Sequence, residues 1–111
     1  MSRKTEEGNV QQAIINYVNY LEELGNPIFY ERRQAGGFNY KKGRPDLFVV
    51  YNGIHIEVEV KKPGGEQSSM QEKFERRCKN KYNCPYICVD NLKEFINYLD
   101  KIIRKGMISL E

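Results

Sequence analysis

Val10, Ile14, Tyr17, Val18, Leu21 and Leu24 recur at the 3.6-residue spacing of a helix. The spacing predicts an amphipathic helix over residues 9–25, with Gly25 as its C-cap. Thr5 can serve as N-cap, which puts Glu6 and Glu7 in the first turn, at the positive end of the dipole. Asn26-Pro27 stops the helix, and residues 28–33 read as a short strand. Residues 35–43 hold three glycines and a basic stretch, the signature of a loop. The period then changes to two. Residues 47–51 and 54–60 are β-rich runs separated by Asn52-Gly53, the strongest short hairpin signal. Pro63-Gly64-Gly65 ends the second run, and Ser68 can cap a helix through Met70 and Phe74 toward Lys81. Residues 85–89, PYICV, read as a short buried strand. Asp90 or Asn91 then caps a last helix whose apolar stripe is Leu92, Phe95, Ile96, Leu99, Ile102 and Ile103. The order α-β-β-β-α-β-α predicts an α/β fold, a mixed sheet with helices packed against it.

With 111 residues and 40% hydrophobic content there is material for one core and not for two, so a single domain over 1–111 is expected. There is no run of about 18 apolar residues to span a membrane. The N-terminus lacks an apolar segment of the signal-peptide kind, so the expected location is the cytoplasm of a bacterial or virus-infected cell. Cys78, Cys84 and Cys88 are odd in number, which suits reduced thiols better than a disulfide framework. Cys84 and Cys88 have no second Cys/His pair to complete a zinc set, and the lone His55 lies in a strand without a ligand partner at useful spacing. The net charge of +3 says little about a polyanionic partner by itself. Its distribution says more: Arg32, Arg33, Lys41, Lys42 and Arg44 form one basic cluster, and Lys73, Arg76, Arg77, Lys79 and Lys81 another.

A two-residue Asn52-Gly53 turn pairs Tyr51 with Ile54, so Asp46 falls opposite Glu59. Directly opposed side chains have Cβ atoms about 4.5–5.5 Å apart. Alternation places Glu57, Glu59 and Lys61 on one face, and Leu47, Val49, Ile56, Val58 and Val60 on the other, the core side. Two carboxylates this close need a cation or a raised pKa. A hard divalent metal with oxygen ligands satisfies the pair, and Lys61 stands beside it to neutralise charge or hold a water or phosphate oxygen. Opposed acids can also be mere solubilising charges on a solvent-facing strand, and a one-residue slip would part them.

Pro45-Asp46, followed thirteen residues later by Glu59-Val60-Lys61, resembles the signature of the PD-(D/E)XK nuclease superfamily. Gly43-Arg44-Pro45-Asp46-Leu47, the hairpin, and the Gly-rich bend before Ser68-Ser69-Met70-Gln71 resemble its virus-type replication-repair (VRR-NUC) domain. Glu7, followed by Val10-Gln11, matches the helix-borne Glu of that family. The resemblance implies metal ligation by Asp46, Glu59 and the carbonyl of Val60, with Glu7 joining directly or through water. It implies that Lys61 positions or deprotonates the attacking water and that Gln71 orients the site or touches a phosphate. Glu6 could take the place of Glu7, and Glu57 is an extra acid on the active face. Gln67 stands where the family usually carries an apolar residue.

The expected function is that of a Mg²⁺- or Mn²⁺-dependent DNA endonuclease acting in replication or repair. By likeness in scale to Holliday-junction resolvases, it would be a homodimer that selects branched or duplex DNA by shape. Arg32, Arg33, Lys41, Lys42, Arg44, Lys73, Arg76 and Arg77 are the expected DNA contacts, to phosphates and not bases. The alternatives are a catalytically inactive DNA-binding module and a ribonuclease on the same scaffold.

Overall fold

The computed structural model describes residues 5–33 and 43–109, with side chains as far as residue 105. Helix α1 (Glu6–Glu23) starts where Thr5 Oγ1 accepts the Gly8 N–H at 2.9 Å and ends before Gly25, whose φ of +97° takes the chain out of the helix. Strand β1 (Ile28–Arg32) follows. Strands β2 (Leu47–Tyr51) and β3 (Ile54–Val60) form the hairpin, with Asn52 and Gly53 both at positive φ, +47° and +84°. That is the backbone a two-residue type I′ turn requires. Helix α2 (Ser69–Asn80), strand β4 (Tyr86–Val89) and helix α3 (Leu92–Ser109) complete the order α-β-β-β-α-β-α. Of the two candidate caps for α3, Asn91 does the work: its Oδ1 accepts the Glu94 N–H at 2.9 Å.

The four strands lie in the order β1-β2-β3-β4. The first three are antiparallel neighbours, and β4 runs parallel to β3 after the α2 crossover. The sheet is therefore mixed, as the element order implies. One face carries Leu47, Val49, Ile56, Val58, Val60, Ile87 and Val89, packed under Ile14 and Val18 of α1 and Phe95 and Leu99 of α3. The Tyr17 and Phe95 rings meet edge to face, centroids 6.4 Å apart, and join the two helices. The opposite face carries Glu57, Glu59, Tyr86 and Cys88, and α2 lies on that side through Phe74 and Cys78. No described helix is long and apolar enough to cross a membrane.

Gly43 is the joint between the hairpin and α2. Its φ is +89°, and a Cβ there would stand 2.8 Å from the Met70 carbonyl oxygen. Gly43→Ala is therefore expected to destabilise the domain by about 1–3 kcal/mol, through backbone strain and this clash. Urea unfolding would measure it, and an unchanged midpoint would count against the joint.

Candidate active site

The β2–β3 register pairs Leu47 with Val58 and Tyr51 with Ile54, as the hairpin geometry predicts. Asp46 is the next residue outward from Leu47, exposed just ahead of β2, and Glu59 is buried on β3. Burial pushes the Glu59 carboxyl up to about 7. Lys61 opposes that rise, whereas the charges of Asp46 and Glu7 add to it. A hydrogen bond from the Tyr86 hydroxyl to Glu59 Oε1, at 3.4 Å, also opposes it. Residues from three separate segments, the first turn of α1, the approach to β2 and the end of β3, thus act electrostatically on one buried carboxylate. Beside them opens a cleft of about 480 Å³, lined by Glu6, Glu7, Lys61, Lys62, Gly65 and Glu66 among others. Val60, the last residue of β3, pairs with Val89, and the Lys61 N–H extends that ladder to the Val89 carbonyl at 2.9 Å.

The burial of Glu57 and Glu59, 4% and 6% exposed, removes the reading of a solubilising strand face. A buried charge is costly unless paired, and Glu57 is paired. Arg33 grips it with both guanidinium arms, Nη2 donating to Oε2 at 2.7 Å, and His55 Nε2 meets the same oxygen. Glu57 is therefore tied to Arg33 rather than presented to the site as a further acid. Arg33 also donates from Nη1 to the Pro45 carbonyl at 2.8 Å, and its own N–H donates to the Asp46 carbonyl at 2.7 Å. Its cation is committed to Glu57, so Arg33 braces Pro45-Asp46 instead of facing outward for a phosphate.

Both glutamines after the bend are held by hydrogen bonds. Gln71 closes a capping box: its Oε1 accepts the Ser68 N–H at 2.8 Å, and Ser68 Oγ accepts the Gln71 N–H at 3.2 Å. Gln67 is the one linked to the acids, donating from Nε2 to the Tyr86 hydroxyl oxygen at 3.3 Å and to Glu75 Oε1 at 3.0 Å. Sequence reasoning singled out neither Tyr86 nor Gln67 for the site. The usable signal was the parallel pairing of β4, which sets Tyr86 against Glu57 and Cys88 against Glu59. Among the basic residues, Arg32 is exposed on edge strand β1, Lys73, Arg76 and Arg77 are exposed on α2, and Arg44 lies half-buried over the Phe74 ring. Lys41 and Lys42 lie outside the described residues.

Among the described residues, no three of His, Cys, Asp and Glu come together as a ready-made cage for a metal. Asp46 and Glu59 still suit a small hard cation. Mg²⁺ commonly takes one or two carboxylates and keeps several waters, and a cation would offset the burial and the lesser repulsion that raise Glu59. Comparison of the chain with protein-family models, with curated proteins and with solved structures finds no match in any of the three.

Proposed function

We propose that this chain is a metal-dependent endonuclease of the PD-(D/E)XK kind, resembling the VRR-NUC domain, that hydrolyses phosphodiester bonds in DNA. One observation carries the reading: Glu59 is buried, its charge is further disfavoured by Asp46 and Glu7, and Lys61 stands two residues on, just past the end of the same strand. A fold gains nothing from massing acids around a buried carboxylate unless a cation or a reaction uses them. Asp46 and Glu59 would hold Mg²⁺ or Mn²⁺, with the Val60 carbonyl, and Glu7 would contribute directly or through water. When bound, such an ion makes water a better nucleophile and offsets charge on the phosphate. Lys61 would hold the attacking water or a phosphate oxygen. Gln67 and Tyr86 would fix the Glu59 carboxylate from behind. The exposed cations Arg32, Lys73, Arg76 and Arg77 would engage the phosphate backbone.

Branched DNA is the proposed substrate, cut by a homodimer whose two sites face opposed strands, since two-fold symmetry is the commonest assembly. Incubation of the purified chain with plasmid, four-way junction and RNA tests this. Cleavage of DNA with Mg²⁺ or Mn²⁺, abolished by EDTA, is expected. Full activity in EDTA, or cleavage of RNA alone, would overturn it.

A further inference from the structure

A second concavity opens on the same face of the sheet, about 330 Å³ in volume, where α2 and Tyr82 face the approach to β2. Arg33, Arg44 and Arg77 reach it from three separate segments, and Glu57 is the carboxylate among them. Arg33 and Glu57 neutralise one another. Among the described residues, neither Arg44 nor Arg77 has a carboxylate partner. Aromatic rings position both: Arg44 lies 5.7 Å from the Phe74 centroid, and Arg77 lies 6.0 Å from that of Tyr82 while donating to its hydroxyl at 3.2 Å. Two unneutralised guanidinium groups, pre-set against ring faces in one hollow, form a receptor for an anion attached to a flat group. Lys81 stands 5.6 Å from the Tyr82 ring and adds to the positive rim.

Glu57 and Glu59 point to the same face two residues apart, about 7 Å along the strand. The hollow therefore lies one nucleotide's reach from the candidate active site. Its size admits one nucleotide and not a base pair within a duplex.

We propose that this pocket binds a single unpaired nucleotide of the DNA strand being cut, its phosphate on Arg44 and Arg77 and its base against Tyr82. The inference rests on the nuclease reading for the identity of the strand. It makes the enzyme selective for DNA with an unpaired nucleotide beside the scissile bond, which a continuous duplex does not offer. Stacking of bases on aromatic and guanidinium planes, together with a cationic track, is the usual basis of single-strand recognition.

The test needs neither metal nor cleavage. The metal-free full chain is titrated with dAMP, with deoxyadenosine and with inorganic phosphate, following the side-chain NMR signals of its arginines and tyrosines. The expected result is saturable shifts at Arg44, Arg77 and Tyr82 with dAMP, and affinities at least about tenfold weaker for each fragment. Arg77→Ala removes an exposed side chain and should weaken dAMP binding at least about tenfold, with the thermal melt unchanged. Equal affinity for phosphate and dAMP would reduce the pocket to an anion site and overturn the proposal. Shifts elsewhere, or none, would overturn it too. Nucleotide binding without metal-dependent cleavage would sink the nuclease reading alone; cleavage without nucleotide binding would sink only the pocket.

Discussion

Glu59→Gln is expected to abolish cleavage and, in metal-free buffer, to raise the melting temperature at pH 8 but not at pH 4.5. The loss of activity should exceed the roughly 100-fold typical of losing a partner outside the metal's own ligands. The stability change follows from the proton balance. The Glu59 carboxyl titrates at about 7 in the fold, against an ordinary value of 4.5. Between those values the folded chain holds a proton that the unfolded chain has lost, so stability falls as pH rises through the window. Above about pH 7 both states are ionised and the penalty is complete. Below 4.5 both are protonated and it vanishes. Glutamine has the neutral shape at every pH and removes the penalty. With about 4–8 °C of melting temperature per kcal/mol in a domain this small, a gain of at least about 5 °C at pH 8 is expected, the full penalty being on the order of 3 kcal/mol. Mg²⁺ should stabilise the unsubstituted protein in the same high range and do little for the variant. A variant that melts lower at both pH values would mean that Glu59 serves the fold.

Arg33→Ala is expected to destabilise by about 3 kcal/mol, the order found when one partner of a buried ion pair is removed. Arg33 is partly exposed, 23%, but Glu57 is not, 5%, and the substitution leaves that carboxylate with only His55. A paired change, Arg33→Met with Glu57→Leu, should recover most of the loss, since replacing both partners by apolar groups is often neutral. Equilibrium urea unfolding of the single and double variants measures it. The double variant should still cleave more slowly than the unsubstituted protein, because the bond from Arg33 to the Pro45 carbonyl that braces Asp46 is gone. A single variant as stable as the unsubstituted protein would show that Glu57 is reached by water.

These two side chains mark where the sequence was legible and where it was not. Asn52-Gly53 permits few turn geometries, so the register of β2 and β3, from Leu47–Val58 to Tyr51–Ile54, could be read residue by residue; Asp46 lies just beyond that ladder, where its charge acts on Glu59. Thr5 and Ser68 likewise announced their helix starts, and the third lay at one of two neighbouring caps, Asp90 or Asn91, of which the structure uses Asn91. The cover over Glu57 and Glu59 was not legible. Helix α2 has one buried residue, Cys78, so its pattern alone does not tell which sheet face it lies on. Only the parallel pairing of β3 with β4, across the α2 crossover, places Tyr86 near Glu59 and leads Gln67 to it. Arg33 and Glu57 are 24 residues apart, and nothing local joins them. Gln71 adds a local role that its spacing from Ser68 announces: it is the capping-box partner, and the helix start uses its side-chain carbonyl oxygen.

The central claim is that Asp46 and Glu59 share a divalent cation. Crystals of the chain soaked in Mn²⁺, measured for anomalous scattering, test it most directly. A single strong peak between the Asp46 and Glu59 carboxylates, absent from crystals of Asp46→Asn, is the predicted result. Well-ordered carboxylates with no peak between them at millimolar Mn²⁺, or an ion bound only elsewhere, would contradict it.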